Sequence, residues 1–218
     1  MPPKIAKYPH AEYNDEELNG SLCDYYGWLS IEQNLWRNQT YSPEVLNYKD
    51  GEEAAIKYFV PGYLKLIEHV LAEHEANYAY VVPVPASVPA SSADFTTKPK
   101  SVTGRNRDNR NQVFCKLLHD GHDKVILTDV LMRTDPKPKK ARWSPEQHAD
   151  SMVIKGKAES FDEDDLLILV DDVSTQGGTI NGAKLLLSNK YDADRIITLP
   201  ISQTRFSAVF RPLRPPQS

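Results

Sequence analysis

Cysteine is scarce: Cys23 and Cys115 are the only two in 218 residues, far apart and with no CxxC pair. That excludes a disulfide framework and a zinc ribbon, and it fits a reducing compartment. No apolar run approaches the ~20 residues needed to span a bilayer. The opening stretch MPPKIAKYPHAEYNDEEL lacks the apolar segment of a signal peptide. The expectation is a soluble, cytoplasmic chain with no membrane partner. An excess of basic charge is also missing, since the formal net charge is −4, so any nucleic-acid contact would need a local patch. The six histidines are scattered without metal-ligand spacing. What remains is an apolar share of 40%, enough for a core, in a length suited to one α/β domain with additions.

Residues 1–20 are polar and carry Pro2, Pro3 and Pro9, which suggests a loosely held arm. Over 21–40, Leu22, Tyr25, Tyr26, Trp28, Leu29, Ile31, Leu35 and Trp36 fall at spacings that predict an amphipathic helix or two short ones. Ser42-Pro43-Glu44 and Ser144-Pro145-Glu146 are helix starts: a capping hydroxyl, proline at the first turn and an early acid. A second apolar-periodic stretch runs from Glu52 to His74. Pro61-Gly62 interrupts it, which predicts two helices or a kinked one. Strands are expected at Tyr78–Val84, Lys124–Leu131, Leu166–Val170 and Arg195–Ile201, with helices at 111–119 and 179–189. Between them lie two basic loops, 86–110 and 133–142. The first is long enough to be a lid or disordered. Strands alternating with helices predict a doubly wound parallel sheet. The expected organisation is an N-terminal arm and helical extension over 1–40, a main domain over 41–210 and a proline-rich tail over 211–218.

The segment Leu166–Thr179, LLILVDDVSTQGGT, concentrates the chemistry. A buried strand delivers Asp171 and Asp172 to the carboxyl edge of a parallel sheet, where ligands bind in such folds. Side chains alternate along a strand, so one or both acids reach the crevice. Ser174 to Thr179 then supply hydroxyls, glycines and closely spaced N–H groups at a helix start, an anion site with the helix dipole behind it. Carboxylates suit sugar hydroxyls and the N–H nest suits phosphate. A phosphorylated sugar satisfies both.

This string resembles the signature of type I phosphoribosyltransferases, and within them it is most similar to the ComF family. The resemblance implies a fold of that kind, with Asp171 and Asp172 holding the ribose hydroxyls and serving as catalytic and Mg²⁺-associated acids. Thr175, Gln176, Gly177, Gly178 and Thr179 would cradle the 5-phosphate. Gln176 stands where Thr, Ser or Ala is commoner, at the cost of one hydroxyl contact but no N–H group. The 6-oxopurine enzymes have an aspartate where Thr175 stands, which disfavours that class. Val81-Val82-Pro83-Val84-Pro85 resembles the family's VVPVP segment, whose turn would offer N–H groups of Ala86, Ser87 and Val88 to pyrophosphate. Arg105 to Gln112 resembles a rearranged RERGFNQ stretch. With Lys98, Lys100, Arg105, Arg107 and Arg110, the 86–110 loop could close as a cationic flap over the leaving group. Leu46–Gly51 and Ser144–Gln147 resemble shorter family segments, whereas the family's usual R-x-x-N is absent after Gln147, where His148 and Asp150 stand. The zinc ribbon that opens many ComF proteins is missing.

The expected partners are phosphoribosyl pyrophosphate with Mg²⁺ and a nitrogen acceptor that the sequence leaves open, as it does a homodimer. The reaction would be pentosyl transfer. The alternative is a catalytically silent regulator that binds the same ligand, or a ComF-like protein linked to DNA uptake; fold and motif do not decide activity. The cluster Arg133, Lys137, Lys139, Lys140 and Arg142 could touch nucleic acid, but without an aromatic platform it reads as a solvated surface loop.

Overall fold

The computed structural model describes residues 7–8, 10–27, 37, 40–138, 142–155 and 161–205. Calls on Trp28 to Trp36, on Lys139 and Lys140, and on the 211–218 tail lie outside them. The central sheet has six strands, β1 (Glu12–Asn14), β2 (Asn19–Ser21), β4 (Ala79–Pro83), β5 (Val125–Leu127), β8 (Leu166–Val170) and β10 (Ile196–Thr198), in the order β1-β2-β10-β8-β4-β5. All neighbours pair in parallel except β1 with β2. The fold is therefore α/β with a mixed, mostly parallel sheet.

From β4 the chain reaches β5 on one side and later returns past β4 to β8 and β10. The winding direction reverses between β4 and β8, the position where open α/β sheets bind ligands beyond their strand ends. Helices α1 (Ser42–Asp50), α2 (Glu53–Glu73) and α4 (Arg110–Gly121) share one apolar cluster with Leu166, Ile168 and Val170. Helix α6 (Gly178–Ser188) covers the opposite face with Leu167 and Leu169. The period-two alternation of β8 feeds both layers, so a continuous apolar run is what this strand requires. Two short helices, α3 (Lys100–Thr103) and α5 (Pro145–Asp150), and an antiparallel pair, β6 (Leu131–Arg133) with β7 (Met152–Ile154), complete these layers.

A smaller parallel sheet, β3 (Cys23–Tyr26), β11 (Ser202–Arg205) and β9 (Val173–Ser174), lies in the order β3-β11-β9. Each strand continues its counterpart in the run β2-β10-β8 after a break of a few residues. Three adjacent strands thus crease at one level and go on as an upper tier. The crease is hydrogen-bonded: the N–H groups of Leu22 and Cys23 donate to Ile201 O, and Leu199 N–H donates to Leu169 O.

Several expectations need correction. Residues 21–26 are strand, not helix: the spacing of Leu22, Tyr25 and Tyr26 mimics a helix, but pairing with β11 overrides it and buries Leu22, Cys23, Asp24 and Tyr26. The arm is built in where it is described, with Tyr8 buried and β1–β2 joined to β10. Of the two outcomes expected at Pro61-Gly62, two helices are excluded, since α2 is one helix with Pro61 inside it; a side chain at Gly62 would collide with the Tyr8 ring, so the glycine admits that contact. Ser42 does not cap α1 but accepts from Tyr26 N–H at 2.8 Å. At α5 the capping hydroxyl expected of Ser144 is present, and Gln147 completes a capping box with it. Among the described residues no helix is long and apolar enough to cross a membrane.

Candidate anion and sugar site

The acid pair sits in the crease. Asp171 O accepts Ile201 N–H at 2.8 Å, and Asp172 O accepts Ser202 N–H at 3.1 Å and the Ser202 hydroxyl at 3.2 Å. With the backbone held on the β11 side, the two carboxylates leave in different directions and meet different fates.

Asp172 is buried and engaged. Its Oδ2 accepts from Arg110 Nε at 2.9 Å and from Nη2 at 2.5 Å, while Oδ1 accepts Val173 N–H at 2.6 Å. Burial alone would raise its pKa; Arg110, helped by Lys49, overcomes this and holds it below the usual carboxylate range. Asp171 lacks such a partner. Its Oδ1 accepts from Asn111 Nδ2 at 3.2 Å and from Asp172 N–H at 2.9 Å. Burial, then the charge of Asp172, push its pKa up to about 7. Asn111 is fixed in turn, donating to Val84 O at 3.0 Å and accepting from the Tyr48 hydroxyl at 3.1 Å.

Asp171 opens onto a cavity of about 440 Å³ walled by Val173–Ile180, by Trp143, Ser144, Pro145 and His148 around the start of α5, and by Lys137 and Arg142. Helix α6 begins here. Gly177 stands at φ +70°, a left-handed conformation that L side chains rarely adopt, and no side chain caps the helix. The first N–H groups of α6 have no intrahelical acceptor, so an anion in the loop would meet both donors and dipole. Thr179 Oγ1 lies 3.4 Å from His148 Nε2, and Thr175 Oγ1 lies 2.9 Å from Thr204 Oγ1.

The surroundings are positive. Burial, then Lys137 and Arg133, push the His148 pKa down to about 4, so its imidazole is neutral near pH 7. Arg133 is buried at 3% exposure rather than solvated. Its Nε donates to Ala86 O at 2.6 Å and its Nη1 to Ser151 Oγ at 2.6 Å, while its Nη2 has no hydrogen-bond partner among the described residues. Lys137 N–H donates to Ser87 O at 2.9 Å. The turn after β4 is thereby fastened to the 133–142 loop through the carbonyls of Ala86 and Ser87. No backbone carbonyl among the described residues accepts from the N–H groups of these two residues.

No protein-family model matches the chain, and a search of curated proteins finds no match either. The site therefore stands on its own geometry. Of the residues singled out in the sequence, Asp171, Thr175, Gln176, Gly177, Gly178 and Thr179 line one cavity, and Asp172, Ala86 and Ser87 do not. Arg105 pairs with Asp94 at 2.8 Å, and Arg107 Nε donates to Asn109 at 2.8 Å; neither lines the cavity. The 86–110 loop is held down: Lys100 reaches Asp50 at 3.3 Å, and Thr96 and Asp108 exchange hydrogen bonds at 2.8 and 2.9 Å. The cations at the cavity come instead from 133–142, the loop expected to be solvated surface. Its signal was present as a run of Arg and Lys, but nothing local showed which way the run folds.

Proposed function

We propose that the chain binds phosphoribosyl pyrophosphate with Mg²⁺ and transfers its phosphoribosyl group to a nitrogen acceptor. The observation that carries this reading is the union of an uncapped helix start, a crevice carboxylate and lysine and arginine side chains in one cavity at the sheet's switch point. The likeness of Leu166–Thr179 to type I phosphoribosyltransferases supports it. In this reading the Thr175–Thr179 loop and the α6 N-terminus hold the 5-phosphate, and Asp171 accepts from a ribose hydroxyl. Lys137 and Arg142, with the turn at Ala86 and Ser87, draw the pyrophosphate and stabilise the charge it gains as the bond to C1 breaks. A nitrogen lone pair then forms the new bond at C1, with no covalent intermediate on the protein. Asp171, a single cavity-facing carboxylate, fits Mg²⁺, which favours one or two carboxylates plus substrate phosphates; the ion when bound would neutralise pyrophosphate charge. Asp172 acts at one remove, through Arg110 and the crease.

A silent regulator that binds the same ligand is the second reading. It is favoured by the engagement of Asp172 with Arg110 and by the distance of Arg105 and Arg107 from the cavity's lining. Calorimetry with phosphoribosyl pyrophosphate and Mg²⁺ tests the site: wild type binds and Asp171→Asn loses binding. Absence of wild-type binding at millimolar ligand would overturn both readings. Pyrophosphate release across a panel of nitrogen compounds then separates transferase from regulator.

A further inference from the structure

A second cavity, of about 540 Å³, lies behind the same loop. Ser174, Thr175, Gln176 and Gly177 line both cavities, so one short segment is their common wall. The far side of the second cavity is the β1–β2 hairpin, and its floor comes from β10, β11 and Asn181 of α6. Its volume is that of a small-molecule site.

Its polarity is the reverse of the first. The charged lining consists of Glu12, Glu17 and Arg205. The arginine is already neutralised, because its Nε donates to the buried Asp24 at 2.9 Å and its Nη2 donates to Glu12. Glu17 is exposed at the rim and receives one hydrogen bond, from Asn19 at 3.0 Å. Asn14, Asn181 and Gln203 add amide groups that both donate and accept. A carboxylate ligand would find no uncommitted cation here and would meet the carboxylate of Glu17, which no cation among the described residues neutralises. A compound rich in N–H groups, neutral or cationic, would find acceptors on several sides.

We propose that this cavity binds a small N–H-rich nitrogen compound, an amine or an amino-substituted heterocycle, and excludes carboxylate-bearing ones. Because Ser174–Gly177 line both cavities, the compound is either the acceptor for the transfer proposed above or an effector of that site. The acceptor arm rests on the transferase reading. Binding itself does not.

The test titrates the full chain with agmatine, cytosine and adenine, and with nicotinate and orotate, by calorimetry. Each is run without and then with phosphoribosyl pyrophosphate and Mg²⁺. At least one of the first three is expected to bind in the absence of phosphoribosyl pyrophosphate, and the carboxylates are not. Glu17→Lys weakens that binding by about tenfold, through loss of an N–H acceptor at the rim and, for cationic agmatine, through charge reversal as well; Glu17→Gln weakens it less, and thermal melts confirm that both variants fold. Consumption of the bound compound with pyrophosphate release identifies an acceptor; a shift in phosphoribosyl pyrophosphate affinity without turnover identifies an effector. Either supports the site. It is overturned if none of the three binds wild type, if Glu17→Lys binds them undiminished, or if a carboxylate binds best. Amine binding by a wild-type chain that shows no phosphoribosyl pyrophosphate binding at millimolar ligand would sink the transferase reading and leave this cavity standing.

Discussion

On one side of the loop Ser174–Gly177 stand Lys137, Arg142 and an uncapped helix start; on the other stand Glu12, Glu17 and an arginine shared by two acids. The loop itself carries no charge. Its two unlike environments are imposed by segments remote in the chain, the N-terminal hairpin and the 133–142 loop. The same division recurs one residue apart in the acid pair, where Asp172 is neutralised from within by Arg110 and Asp171 is left to the crevice. A motif supplies residue types, and the packing around it decides which of them remain available.

The largest effect should come from breaking the inner half of this division. Arg110→Met strands Asp172 as a buried charge and is expected to cost about 3 kcal/mol, lowering Tm by roughly 6–12 °C. Because the Asp172 pKa is depressed in the fold, the stabilisation from this pair is present above the unfolded carboxylate range. It fades as pH falls through the folded value. Melts of variant and wild type should therefore converge in acid; a constant gap across pH would mean that Arg110 acts by packing alone.

Asp171→Asn sharpens the other half. With a folded pKa of about 7, Asp171 favours folding most when protonated, so its contribution is intact below about pH 4 and is lost as pH rises to about 7. The amide removes that loss. The variant should be more stable than wild type by up to about 4 kcal/mol at pH 8, no different at pH 4, and unable to bind phosphoribosyl pyrophosphate. Denaturant unfolding at the two pH values checks the sign. In wild type, ligand affinity should rise with pH through about 7 as the carboxylate ionises.

Smallest is Tyr48→Phe, which removes the hydroxyl that orients Asn111. A loss of about 1 kcal/mol is expected. Equal losses for Tyr48→Phe in the wild-type and Asn111→Ala backgrounds would show that the chain from Tyr48 to Asp171 is not a coupled network.

What could be read beforehand followed from contiguity. Leu166–Val170 is apolar at every position because it feeds two cores, and the acids, glycines and helix follow without a gap, so strand, loop and helix were all legible. Arg110 and Asp172 are 62 positions apart, and no local pattern announces their pairing. The upper tier was hidden for a related reason. Ser202–Arg205 is SQTR and Val173–Ser174 only two residues, so neither shows a run or an alternation, and Cys23–Tyr26 has a spacing that suggests the wrong period. These segments are strands because of their neighbours. In the long basic loop the charge did not show where each cation goes: Lys100 reaches Asp50, and Arg105 pairs with Asp94 inside the loop itself.

The crease gives the two cavities a common anchor. β3, β11 and β9 leave the main sheet as three parallel arms over one fulcrum, tied there through Ile201 and Ser202 to the backbone of the acid pair. Ser174, in β9, and Arg205, in β11, stand at cavity walls on adjacent arms. The backbone of the acid pair is thus the common footing of a wall of each cavity.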